Sequence, residues 1–134
     1  MANLAKTYDY GLGRRKSATA RARLLKGKGA ITINDKPAAE YLGNNKTLLA
    51  EITDPLAIVG KQQEFDVTVL VSGGGLAGQV DAIKMAIAKA IIVGHADLRT
   101  VLKKAELLRR DPREKERKKY GLRSARKREQ YSKR

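Results

Sequence analysis

From Arg15 onward the chain alternates. Ala18, Ala20, Ala22 and Leu24 fall on one side and Ser17, Thr19, Arg21 and Arg23 on the other, the period-2 signature of a strand that buries small residues and turns a basic face outward. Lys26-Gly27-Lys28-Gly29 then supplies turn chemistry, after which Ile31 and Ile33 alternate with Thr32 and Asn34. The pattern predicts a hairpin with a cationic tip. Pro37 to Leu42 fits a single helical turn, and Asn44 or Asn45 can cap a longer helix through Leu48, Leu49 and Ile52 that Asp54-Pro55 should break.

The next unit has the clearest periodicity. Phe65, Val67, Val69 and Val71 point one way and Glu64, Asp66 and Thr68 the other, a strand rich in β-branched residues that Gly73-Gly74-Gly75 ends. Val80, Ile83, Ile87 and Ile91 recur at spacings of three and four, the buried stripe of a helix that should stop at Gly94. A second helix is expected from Asp97, with Leu98, Val101 and Leu102 inward. These elements predict an α+β body, a small two-layer sandwich of a mostly antiparallel sheet with helices on one face.

Composition changes this picture at the ends. A length of 134 residues with 42% hydrophobic composition suits one domain rather than two. Lys and Arg number 29 against 14 Asp and Glu, for a net charge of +15, so self-repulsion is costly unless an anionic partner offsets it. The excess is terminal: residues 1–28 carry eight basic and one acidic group, residues 29–102 six and eight, and residues 109–134 thirteen and four. The body is therefore assigned to 1–108 and a long, extended basic tail to 109–134. That tail offers a core only Leu122, Ala125, Tyr120 and Tyr131, too few to offset its ordering entropy, so it should be disordered when free and ordered on a polyanionic partner. Asp111-Pro112-Arg113-Glu114 carries helix-start chemistry, which predicts two turns over Pro112–Tyr120 once an anionic partner neutralises the surrounding charge.

Catalytic chemistry finds little footing. Gly73-x4-Gly78 has the glycine spacing of a phosphate-binding loop, but Gln79 and Val80 stand where lysine and a hydroxyl are needed. Gly11-x-Gly13-x-x-Lys16 lacks the third glycine of a dinucleotide fingerprint. His95 is the single histidine and there is no cysteine, so no metal, cofactor or catalytic residue is expected. The apolar stretch Ala82 to Val93 is broken by Lys84 and Lys89, and Met1 to Tyr10 lacks the apolar centre of a signal peptide; no membrane partner and a cytoplasmic location are expected. A DNA-reading regulator would need a polar recognition helix, and a membrane-surface protein would need apolar anchors in the tail.

Two motifs remain. On the first strand Arg21 and Arg23, with Arg14, Arg15 and Lys16 at its head and Lys26 and Lys28 at its tip, can meet a ribose-phosphate track. Gly73, Gly74 and Gly75 form a candidate phosphate-binding turn at the start of the Ile83 helix, with a plain strand-to-helix turn as the alternative.

Several segments in order carry a family resemblance: Gly13-Arg14-Arg15-Lys16-Ser17-Ala18-Thr19-Ala20-Arg21-Ala22, Ser72-Gly73-Gly74-Gly75 with Gly78-Gln79, Arg110-Asp111-Pro112-Arg113 running into Glu116-Arg117-Lys118-Lys119-Tyr120-Gly121, and the ending Ser132-Lys133-Arg134. From about Tyr8 to Arg134 the chain resembles the ninth small-subunit ribosomal protein family. The resemblance implies a non-enzymatic component of the small-subunit head, bound to ribosomal RNA beside neighbouring head proteins. Its RNA contacts would extend along the tail through Arg109, Arg110, Arg113, Arg117, Lys118, Lys119, Arg123, Arg126, Lys127 and Arg128. It also implies that Lys133 and Arg134 reach transfer RNA in the peptidyl site. Ala105-Glu106 stands where the family usually has a glycine, and Arg109 where a threonine is expected.

Overall fold

The computed structural model describes residues 8–128 and 130. Strand β1 (Asp9–Arg15) turns back through Lys16 and Ser17 into β2 (Ala18–Lys26), followed by two short strands, β3 (Ile31–Ile33) and β4 (Lys36–Pro37). Helices α1 (Ala38–Tyr41) and α2 (Lys46–Ile58) precede β5 (Phe65–Ser72), and α3 (Leu76–Gly94), a single 3-10 turn (Ala96–Leu98) and α4 (Arg99–Lys104) complete the body. The five strands form one sheet in the order β1-β2-β5-β3-β4. All pairings are antiparallel except β3 with β5, which is parallel.

The hairpin expected across Lys26–Gly29 is not formed. β5 lies between β2 and β3, and the connection arches over its start, with Gly27 N–H donating to Glu64 O at 3.0 Å and Val67 N–H to Ala30 O at 2.9 Å. Asp66 organises this arch, its Oδ1 accepting from the N–H groups of Lys28, Gly29 and Ala30 at 2.9, 3.1 and 3.0 Å. Turn chemistry alone cannot distinguish a two-strand hairpin from an arch with a third strand inserted. The actual hairpin is β1–β2, closed at Lys16 with φ of 53°.

Inward positions follow the alternation. Ala18, Ala20, Ala22, Leu24, Phe65, Val67, Val69 and Val71 are buried on one face of the sheet beneath α3, whose Val80, Ile83, Ile87 and Ile91 are fully buried. β1 is held closest. Gly11 and Gly13 sit against Ala86, Ala90 and Ala82 of α3, so tightly that a β-carbon at Gly13 would overlap the Ala82 carbonyl and one at Gly11 the Ala86 carbonyl. The glycine pair that resembled a nucleotide fingerprint is a packing device.

Asn45 caps α2, its Oδ1 accepting from Thr47 N–H at 3.0 Å and Leu48 N–H at 3.4 Å. Pro55 does not break the helix, which runs on to Ile58 with Pro55 fully buried. Burial of the ring in the core offsets the backbone hydrogen bond that proline cannot donate. Val101 is exposed rather than inward, since a helix as short as α4 anchors itself through Leu102 alone. Residues 110–119 form neither helix nor strand. At the head of that segment Asp111 accepts from Arg113 N–H at 2.9 Å and grips its guanidinium, a local turn.

Candidate nucleic-acid interface

Among the described residues nothing covers the face of the sheet away from α3, and pairing register decides what it presents. Arg14 lies opposite Thr19, and Thr19 opposite Ser72; Leu12, Arg21 and Leu70 form the next row, and Tyr10, Arg23, Thr68 and Thr32 the next. Arg14, Arg21 and Arg23 are exposed. Each guanidinium therefore has hydroxyl or apolar neighbours rather than another cation directly opposite, which spares the strand the cost of facing like charges. The Arg23 guanidinium lies 5.0 Å from the centroid of the Tyr8 ring, a cation–π contact that holds it over the sheet edge.

The same face ends at the Asp66 arch, where Lys26 and Lys28 are exposed. The three N–H donors, Ala30 foremost, hold the Asp66 carboxyl below its ordinary value. Its charge is turned to the backbone. A sheet face rich in cations thus carries an acid already engaged by donors.

At the opposite end, Lys16 projects from the β1–β2 turn, and Gly73 packs on the Ser17 carbonyl. Gly73 and Gly74 have φ of 79° and 67°, which places the glycine turn beside that hairpin, and no side chain caps α3 at Gly75. Gln79 donates from Nε2 to Gly73 O at 3.1 Å and accepts from the Tyr41 hydroxyl at 2.7 Å, fixing the turn from within.

Arg15 parts from its neighbours. Its side chain is only 13% exposed and points to α3 and the tail, with Nε 3.5 Å from Asp81 and Nη1 3.2 Å from Asp111. It also donates to the carbonyls of Asp111 at 3.3 Å and Arg113 at 2.9 Å. Sequence could not separate Arg15 from Arg14, because only the register of β1 tells which arginine lies outside.

Along the tail, Arg109, Arg110, Arg113, Arg117, Lys118, Lys119, Arg123, Arg126, Lys127 and Arg128 are all exposed. Glu116 ties two parts of it together, pairing with Lys119 and, at 2.8 Å, with Arg126. Those contacts hold the Glu116 carboxyl below its usual range. A small loop closes where Arg123 N–H donates to Lys127 O at 2.8 Å beside the Leu122–Arg128 bridge. Lys133 and Arg134 lie outside the described residues.

Among the described residues there is no cluster of metal-ligating side chains and no helix long and apolar enough to cross a membrane. A small mixed α/β body, cations on an uncovered sheet face and a strongly basic tail are the construction of a ribosomal protein. The family described as ribosomal protein S9/S16 matches residues 13–134, and the chain belongs to that family, one of ribosomal structural proteins rather than enzymes. It is 54% identical over 127 residues to the small ribosomal subunit protein uS9 of Solidesulfovibrio magneticus, covering 95% of this chain and 97% of that one. The proteins of the same name from Prochlorococcus marinus and a Synechococcus strain are 51% and 50% identical over 125 residues, covering 93% of this chain and 93% and 92% of theirs.

Proposed function

We propose that this protein is a structural component of the small ribosomal subunit in the cytoplasm, bound to small-subunit ribosomal RNA in the head, with a tail tip that contacts peptidyl-site transfer RNA. The observation that carries the RNA reading is the separation of charge: a body whose middle is slightly acidic presents Arg14, Arg21 and Arg23 on an uncovered sheet face and continues into a basic tail. Guanidinium groups with Thr19, Ser72 and Thr68 between them suit ribose and phosphate oxygens. Few aromatics accompany them, so backbone contact rather than base reading dominates. Lys16 and the Gly73–Gly75 turn extend the same surface with backbone donors.

Beyond the root that Arg15 holds, the tail follows the RNA and takes its order from it. Arg117, Lys118, Lys119, Arg123, Arg126, Lys127 and Arg128 neutralise phosphate along its length, Lys133 and Arg134 end it at the transfer RNA, and neighbouring head proteins complete the surroundings. Reconstitution tests this. Small-subunit RNA assembled with the remaining small-subunit proteins should take up the full chain into the head and keep it through a high-salt wash. Recovery of the protein free of the particle at low salt would overturn the proposal.

A further inference from the structure

Beyond the sheet face and the distal tail, one groove gathers cations from two parts of the chain. It has a volume of about 750 Å³ and lies between α4 and the tail root; α4 contributes Arg99 and Lys103, and the tail contributes Arg109, Arg110 and Arg113. Its acids are Glu106 and Asp111. Asp111 is already engaged by Arg113, whose hydrogen bonds hold its carboxyl far below the ordinary carboxylate range, with a smaller contribution from Arg15. Arg110 has an exposed pairing with Glu114 at 3.7 Å, too open to neutralise it against a polyanion.

Arg99 and Lys103 are four residues apart on α4, so they share one side of the helix. A cation at the last turn is favoured by the helix dipole, which accounts for Lys103. Arg99 opens the helix, where the dipole is positive and a cation gains nothing from it. Facing a ligand anion gives that guanidinium a partner.

The groove would have no second wall if the tail root swung free. Arg15 prevents this: its largely buried guanidinium binds Asp81 on α3, the Asp111 carboxylate and two tail carbonyls at once. Both a helix of the body and the backbone at 111 and 113 are therefore held by one side chain.

We propose that this groove is a second binding track for an RNA phosphate backbone, with Arg99 and Lys103 as ligands from the body, Arg109 and Arg110 as ligands from the tail, and Arg15 as the positioning residue that holds the walls together. The proposal rests on the reading that the partner is RNA. It assigns Arg99 and Lys103 a role that neither the sheet face nor the tail explains, and it gives Arg15 a task other than touching RNA.

The test measures binding of the full-length protein to small-subunit ribosomal RNA across a salt series. Arg99→Gln with Lys103→Gln should weaken binding and lower the log–log salt slope by about 2, one unit for each phosphate contact. Glu106→Gln should strengthen binding, since it removes the one groove acid that has no ion pair among the described residues. Arg15→Gln should weaken binding, but less when added to the Arg99 and Lys103 changes than when made alone, because the walls it positions have already lost two ligands. Circular dichroism checks that each variant keeps the native body. An unchanged slope for the Arg99 and Lys103 pair, with wild-type protein bound and an Arg21→Glu/Arg23→Glu variant weakened, would overturn the groove and leave the sheet-face reading intact. Full additivity of Arg15→Gln would make Arg15 a phosphate ligand and overturn the clasp. A wild-type protein that fails to bind the RNA at all would sink the underlying reading instead.

Discussion

Gly13 shows how far one residue can constrain the fold. Its missing side chain lets β1 approach the α3 backbone, and a methyl group there would collide with a carbonyl in the middle of a helix that cannot move alone. Gly13→Ala should cost at least about 3 kcal/mol, at or above the upper end for overpacked cores, and thermal unfolding would measure it. A loss under 1 kcal/mol would mean that α3 shifts freely. Nothing in the sequence separates this glycine from one that serves a turn, because the reason for it lies some seventy residues away in Ala82. Asp66 is similar. Its carboxyl is held low by the arch N–H groups, so its contribution to stability is complete above the unfolded value near 3.8 and is lost as pH falls through the lowered folded value. Asp66→Asn should flatten that acid limb, and a stability–pH curve identical to wild type would show that the arch does not depend on it.

At the scale of elements, long periodic segments were legible and their partners were not. The alternation of β5 and the stripe of α3 require no knowledge of neighbours, whereas the place of β3 depends on which strand fills the slot beside β2. Helix ends illustrate the same limit. Glu106 follows α4 with φ of 60°, while Leu107 N–H donates to Leu102 O at 3.2 Å. That left-handed position closes the helix and explains why a glycine is expected at Ala105-Glu106. A side chain there carries strain of roughly 1–2 kcal/mol, partly offset by the greater freedom of an unfolded glycine chain. Glu106→Gly should therefore raise stability by about 0.5–1 kcal/mol, read as a higher Tm. A lower Tm would show that the Glu106 side chain contributes more than its backbone costs. For α2, Asn45→Ala should cost about 1 kcal/mol by chemical denaturation, the usual worth of an N-cap.

For the molecule as a whole, charge is arranged by region. The sequence shows that the termini are basic, but only the register of β1 and β2 shows that Arg14, Arg21 and Arg23 stand together on an uncovered face while Arg15 turns inward. Replacing Arg21 and Arg23 by Glu should leave the body folded and lower the RNA salt slope by about 2, which filter binding at several salt concentrations would read. An unchanged slope would remove the sheet face from the interface. Deleting residues 132–134 should leave incorporation into the subunit intact and weaken peptidyl-site transfer RNA binding, because many tail cations remain for ribosomal RNA. Loss of occupancy instead would assign the tip to assembly.

The order of strands also sets a timetable for making the protein. The central strand of the sheet, β5, is the last to be translated, and β2 and β3 have no common partner until it arrives. During synthesis the first sixty or so residues can close the β1–β2 hairpin and little more, since their apolar sides await β5 and α3. Stable structure then forms late and over long sequence separations, which slows folding and exposes unpaired strand edges meanwhile. A nascent chain stalled with only residues up to Lys61 outside the exit tunnel should be sensitive to protease, whereas one extended past Lys104 should acquire resistance within the body in a single step.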